Sequence, residues 1–158
     1  GQGNTAEIVL GNLATERGQT AAVRNYGAEM VNDHSNAQTE LAQRSSSAGV
    51  TPPMNTNAAQ NVAALGLSQL SGRQFDLAYA RQMVIDHQHT IKLFETEALL
   101  GRNDELRDYA RSSLPELRRH LARATALTAR VERVRIPSRN GNNGNSSNNG
   151  NNNQGGKN

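Results

Sequence analysis

Tyr26-Gly27-Ala28-Glu29-Met30-Val31-Asn32-Asp33-His34 and Tyr79-Ala80-Arg81-Gln82-Met83-Val84-Ile85-Asp86-His87 carry one motif, Tyr-x-x-x-Met-Val-x-Asp-His, at two places 53 residues apart. Five identities in nine positions make coincidence a poor explanation in a chain with only four His and three Met. Within each copy Tyr, Met and His step by four, the spacing of one helix face. The repeat therefore reads as two helices in equivalent positions of a pseudo-two-fold arrangement, each presenting a histidine inward.

Outward from these copies the chain is rich in Ala, Leu, Gln, Glu and Arg, which are good helix formers. No run of β-branched residues alternates at period two, so strands are not expected. Punctuation divides the sequence. Arg17-Gly18-Gln19 separates a helix A (about Asn4 to Glu16) from a helix B (Thr20 to Arg44). Ser45 to Asn57, with Pro52 and Pro53, is a connection, and a short helical stretch lies between Ala58 and Leu70. Helix C runs from near Ser71 to Leu100 and closes at Gly101. Helix D, capped by Asn103 or Asp104, continues to about Arg135 before Pro137, with Pro115 expected to bend or break it. Two hairpins and a longer link make an all-α four-helix bundle over residues 1–136. Residues 137–158, almost wholly Asn, Gly and Ser, are expected to form a disordered tail.

The composition removes several function classes. The 158 residues suit one domain, and the absence of Cys excludes disulfides, thiolate zinc sites, iron–sulfur clusters and Cys nucleophiles. No stretch approaches the roughly 18 consecutive apolar residues of a membrane helix. The chain opens on Gly rather than Met and reads as a processed or trimmed product. The net charge of +3 comes largely from Arg clustered in helix D, but Asp104, Glu105, Asp108, Glu116 and Glu132 are interspersed there. That mixture reads as a solvated face with i,i+4 pairs, and only Tyr109 supplies an aromatic, so nucleic acid is disfavoured as a partner. Basic helix D could dock an acidic protein or anionic lipid head groups, and a homo-oligomer is a further candidate, with no surface assigned to it. There is no Gly-x-Ser-x-Gly elbow and no glycine-rich phosphate loop after a strand.

The apolar stripes carry the remaining information. Helix B has Val23, Tyr26, Met30, His34, Ala37 and Leu41; helix C has Tyr79, Met83, His87, Phe94 and Ala98. On helix D, Leu106, Ala110, Ser113, Leu117, His120, Ala124, Leu127 and Val131 step by threes and fours. Three of the four histidines thus face inward from three helices, while His89 lies off the stripe. Counting about 1.5 Å per residue from the C–D turn puts Glu116 level with His87 and His120 about one turn beyond. The same count in the first hairpin brings Glu7 within one to two turns of His34. Glu7, His34, His87, Glu116 and His120 are therefore expected in one layer. Neutral imidazoles and carboxylates projecting into a bundle form transition-metal sites for zinc, copper, nickel or iron. Asp33 and Asp86, each about 100° around the helix from its own His, are expected to orient the histidine of the opposite hairpin. The plainer alternative is a structural or interaction bundle whose Asp-His pairs are core hydrogen bonds that bind no metal. Tyr26, Tyr79 and Tyr109 are expected to pack with hydroxyls at the rim.

Met30-Val31-Asn32-Asp33-His34, Gly49-Val50-Thr51-Pro52, Ser71-Gly72-Arg73-Gln74-Phe75-Asp76-Leu77-Ala78-Tyr79 and Leu114-Pro115-Glu116-Leu117-Arg118-Arg119-His120 together resemble the domain-of-unknown-function family 4142, over about residues 3 to 130. The resemblance implies a ferritin-like fold in an exported, periplasmic bacterial protein. It also implies recurring positions at Glu7, His34, His87 and His120, and several more helix A residues before Gly1. The bridging Glu and the Glu-x-x-His pairs of di-iron ferritins are missing here, since Glu116 and His120 are spaced Glu-x-x-x-His. The expectation is thus metal handling or stress protection at a histidine-rich site, with no catalytic residue assigned.

Overall fold

The computed structural model describes residues 1–133, which form five α-helices and no strand. The expected domain limit at residue 136 and the tail at 137–158 lie outside the described residues. The helices are α1 (Gln2–Arg17), α2 (Ala21–Ser47), α3 (Ala58–Ser68), α4 (Gly72–Leu100) and α5 (Asp104–Arg133). Helices α2, α3 and α5 begin where a side chain accepts from N–H groups that a helical ladder leaves open. Thr20 Oγ1 accepts from the Val23 N–H at 3.4 Å, and Asn57 and Gln60 form a reciprocal capping box. Asn103 Oδ1 accepts from the Leu106 N–H at 3.1 Å.

Short turns at residues 18–20 and 101–103 force α1 against α2 and α4 against α5 in antiparallel hairpins. The hairpins join because α2 also packs on α5 and α1 on α4, so the four long helices close a ring. Asp76, in the first turns of α4, touches Gln19 and Thr20 at the start of α2. Arg44, near the end of α2, pairs with Glu105 at the start of α5 at 3.2 Å. Hence α2 and α4 run in the same direction, and the chain must travel back between them. Residues 48–71 make that return, with α3 packed over the groove between α1 and α4.

The expected stripes line the ring's interior. Val23, Tyr26 and Met30 of α2 meet Phe75, Tyr79 and Met83 of α4 and Ala124, Leu127 and Val131 of α5 in one core. Phe75 stacks on Tyr79 with centroids 6.0 Å apart, and Tyr79 meets Tyr26 edge-on at 6.3 Å. The break expected at Pro115 does not occur, and α5 continues through it. Loss of one backbone hydrogen bond and a clash at the preceding turn cost about 3 kcal/mol in a helix interior. Burial of Tyr109 and Ala110 before the proline and Leu117 and His120 after it holds both halves to the core and offsets that cost. Gly11 and Gly27 let α1 and α2 meet backbone to backbone. A Cβ on either would come within 2.7 Å of the other's carbonyl oxygen, so only glycine fits both positions.

One polar side chain ties the hairpins at the end where α4 begins. Asp76 is 1% exposed and accepts from the Gln19 N–H (2.8 Å), the Thr20 N–H (3.0 Å) and the Thr20 hydroxyl (2.8 Å). The carboxylate of α4 thus satisfies the turn that starts α2. Asp76→Ala would leave two partly buried N–H groups without their acceptor and is expected to cost about 2 kcal/mol of unfolding free energy. Asp76→Asn should cost less, because one amide oxygen still accepts. Urea denaturation of the three proteins measures the order, and equal midpoints would contradict this role.

Candidate metal centre

His34, His87 and His120 come from α2, α4 and α5 and are 4%, 1% and 1% exposed. Their ring centroids stand 5.7 Å (His34–His87), 5.4 Å (His34–His120) and 5.3 Å (His87–His120) apart. One ring nitrogen from each lies within 4.8 Å of the other two, an arrangement that can hold a metal ion.

The hydrogen bonds at the far side of each ring assign its proton. His87 Nδ1 donates to the Met83 carbonyl at 2.8 Å, since a carbonyl only accepts. His34 Nδ1 donates to Asn4 Oδ1 of α1 at 3.2 Å. His120 Nε2 faces two carboxylates, Asp33 at 3.0 Å and Glu116 at 3.1 Å, which places its N–H there; the Arg119 guanidinium at 3.3 Å is the longest of the three contacts. The opposite nitrogens, His34 Nε2, His87 Nε2 and His120 Nδ1, are buried and have no hydrogen-bond partner. In the neutral form of each ring this is the nitrogen that carries the lone pair. Burial and the neighbouring rings push His34 down to about 3, and burial pushes His87 down to about 4 despite its bond to Met83. Both rings are thus neutral at pH 7, the form that ligates metals.

These residues fit a transition-metal ion. Three nitrogens about 2.1 Å from one tetrahedral ion stand about 3.4 Å apart. Closing from separations of up to 4.8 Å requires ring movements of about an ångström, within reach of small χ changes. The donor set is all nitrogen, and Asp33 orients His120 from behind, the relation that raises ligand basicity in metal sites.

The structure places the other candidates as follows. Asp33 reaches across from the first hairpin to His120 of the second. Asp86 reaches no histidine of the opposite hairpin; both its oxygens accept from Gln82 Nε2 at 3.0 Å. The counterpart role at His34 falls to Asn4, from the same hairpin. Glu116 is half exposed beside His120 Nε2 and bonded to Arg119, at the edge of the layer. Glu7 is buried with Oε2 unpartnered, and it lines a separate cavity of about 300 Å³ with Asp86 and His89. Burial first, and then the Asp86 charge, raise the Glu7 carboxyl well above the usual range. The level of His120 differs from the count made from Gly101 because α5 starts at Asp104. Both side chains lean toward their own helix N-termini, which brings His87 and His120 together.

Asn4 and Arg119 were not singled out by sequence, as neither lies on an apolar stripe. Arg119 bonds Asp33 at 2.9 Å, Glu29 at 2.6 Å and Glu116, and so spans α2 and α5. Glu29, Asp33 and His120 form a second group with metal-ligand spacing, but Arg119 and Arg123 already engage its carboxylates. The tyrosine hydroxyls are internal rather than at the rim. Tyr26 donates to the His120 carbonyl and Tyr109 to the Ala37 carbonyl, both at 3.1 Å, and the Tyr79 hydroxyl is buried without a partner.

The histidine shifts fix a pH dependence. Folded His34 and His87 titrate near 3 and 4 against 6.5 for a free ring, so below pH 6.5 the unfolded chain binds more protons. Stability is then fully present above about pH 6.5 and falls as the pH drops toward 4. Between pH 7 and 5 the metal-free protein should lose on the order of 2 kcal/mol per ring. Urea midpoints measured across that range should flatten in the His34→Gln/His87→Gln variant, and parallel curves for the two proteins would contradict the assignment.

A family model described as a domain of unknown function, DUF4142, matches residues 1–127. No curated protein and no solved structure gives a match. With most of its length covered by that model, the chain belongs to the DUF4142 family.

Proposed function

We propose that this domain binds a transition-metal ion in its interior through His34 Nε2, His87 Nε2 and His120 Nδ1, in metal handling or stress protection. The observation that carries this reading is the set of three buried, unpartnered lone pairs facing one another. Other buried polar atoms, such as Glu7 Oε2 and the Tyr79 hydroxyl, also lack partners, but only the histidines are three alike and grouped at metal-ligand spacing. Imidazole donors suit zinc, copper, nickel or iron(II). Bound there, the ion would act as a Lewis acid or redox centre. The chain's own part is to hold the three rings together and to orient them through Met83, Asn4 and Asp33.

The ferritin-like architecture belongs to the same reading. It is supported by two antiparallel hairpins and a long crossover that leaves α2 and α4 parallel. The donor set separates this chain from the carboxylate-bridged di-iron centres of that architecture, since Glu7 lies in its own cavity and Glu116 at the rim. Export from the cytoplasm rests on the family resemblance alone.

Metal-free protein titrated with zinc, copper(II), nickel(II) and iron(II), followed by elemental analysis, should take up one ion per chain. His87→Gln should abolish uptake while keeping the helical circular dichroism, and Asp33→Asn should weaken it about 10- to 100-fold. No binding by the parent, with unchanged stability in the presence of each ion, would leave a structural bundle whose Asp33–His120 pair is a core hydrogen bond.

A further inference from the structure

A cavity of about 360 Å³ opens beside the triad between α2 and α5, and His34 and His120 line it. We propose that this cavity is the approach path and transient binding site of a hydrated divalent cation, with Arg119 as a displaceable latch; this rests on the metal-binding reading above. The wall carries three carboxylates, Asp33, Glu40 and Glu116, against one guanidinium, Arg44. Arg44 is itself engaged by Glu40 at 3.4 Å and Glu105 at 3.2 Å. With Arg119, which pairs with Asp33 and Glu116, counted in, one net negative charge remains on this wall, a modest bias toward a cation over an anion. At the inner end stand His34 and His120, each more than nine-tenths buried and each with a ring nitrogen that has no partner. A cation drawn to the acidic wall therefore arrives against two of the three candidate ligands, His34 and His120, while His87 does not line the cavity.

Arg119 sets the resistance of this path. Its guanidinium occupies Asp33 and Glu116, the two carboxylates nearest His120, as well as Glu29 at 2.6 Å, while the side chain itself is 44% exposed. It neutralises those carboxylates at rest, and an arriving ion competes with it for the same oxygens. Surface pairs of this kind are weak enough to be exchanged.

Charge changes of opposite sign should then act in opposite directions. Metal-free protein is mixed with cobalt(II) at low ionic strength, and the growth of the visible ligand-field absorbance gives the loading rate. Glu40→Gln should slow loading about two- to threefold and Glu40→Lys about tenfold, while Arg119→Gln should speed it several-fold. Raising the ionic strength should bring all four proteins together. The final amplitude should stay at one cobalt per chain in every variant, as Glu40 and Arg119 are not ligands. Identical rates in the four proteins, or slower loading by Arg119→Gln, would overturn the route. A variant with reduced amplitude would mark that residue as part of the site itself and overturn its role on the path. No uptake by the parent would overturn the histidine site, and the route with it.

Discussion

Three buried, unpartnered histidine nitrogens brought together in the bundle are the constraint on which this structure turns. Each is a buried acceptor without a donor, at a cost of about 1–3 kcal/mol apiece. Only a positive charge, a proton or a donor placed among them offsets that cost. The protein does not relieve it by rotating the rings, because their other nitrogens are held. Met83 fixes His87 from within α4, Asn4 of α1 fixes His34, and Asp33 of α2 fixes His120 of α5. All four long helices therefore contribute to one layer, and a slip of α1, α2 or α5 would break a ring's hydrogen bond.

The registers are kept by contacts of different strength. The apolar core runs from Leu10 and Ala14 through Tyr26, Met30, Phe75 and Tyr79 to Val131 and supplies most of the cohesion. Gly11 and Gly27 set the spacing within the first hairpin, and Asp76 joins α4 to the turn before α2. The ion pairs on the outer faces, such as Arg81–Glu132 and Arg118–Glu95, are exposed and contribute little individually. Position along the helix axis thus comes from buried polar groups and from glycine, while affinity between the helices comes from carbon.

Much of this was legible in the repeat. The spacing Tyr26, Met30, His34 and its copy Tyr79, Met83, His87 located two inward faces, and His120 announced itself by sitting on an unbroken apolar stripe. Chain punctuation found every helix among the described residues. What stayed hidden depends on distance across the molecule. Nothing near Asn4 marks it as the partner of His34, and Asp76 looks like an ordinary first-turn acid until the α1–α2 turn is brought against it. The two copies of the Asp-His pair look equivalent in sequence, yet Asp33 meets His120 while Asp86 turns to Gln82. The asymmetry arises because α5 lies against α2, whereas Asp86 lines the cavity that Glu7 of α1 shares. Pro115 does not break α5, for a related reason: burial on both sides of it holds the helix to the core.

The parallel course of α2 and α4 has a consequence for folding. Each antiparallel hairpin is closed by a short turn and can form from local contacts, quickly and alone. Neither contains the complete triad, because His34 belongs to the first and His87 and His120 to the second. The layer comes into being only when the two halves dock after the crossover has been laid down. An ion that needs all three nitrogens is consequently blind to the separate hairpins and to the unfolded chain. At a free concentration 100 times its Kd it would deepen the native well by about 2.7 kcal/mol and leave the earlier stages untouched. In kinetic terms its stabilisation would be felt as slower undocking, so the ion would prolong the lifetime of the folded chain without hastening its formation.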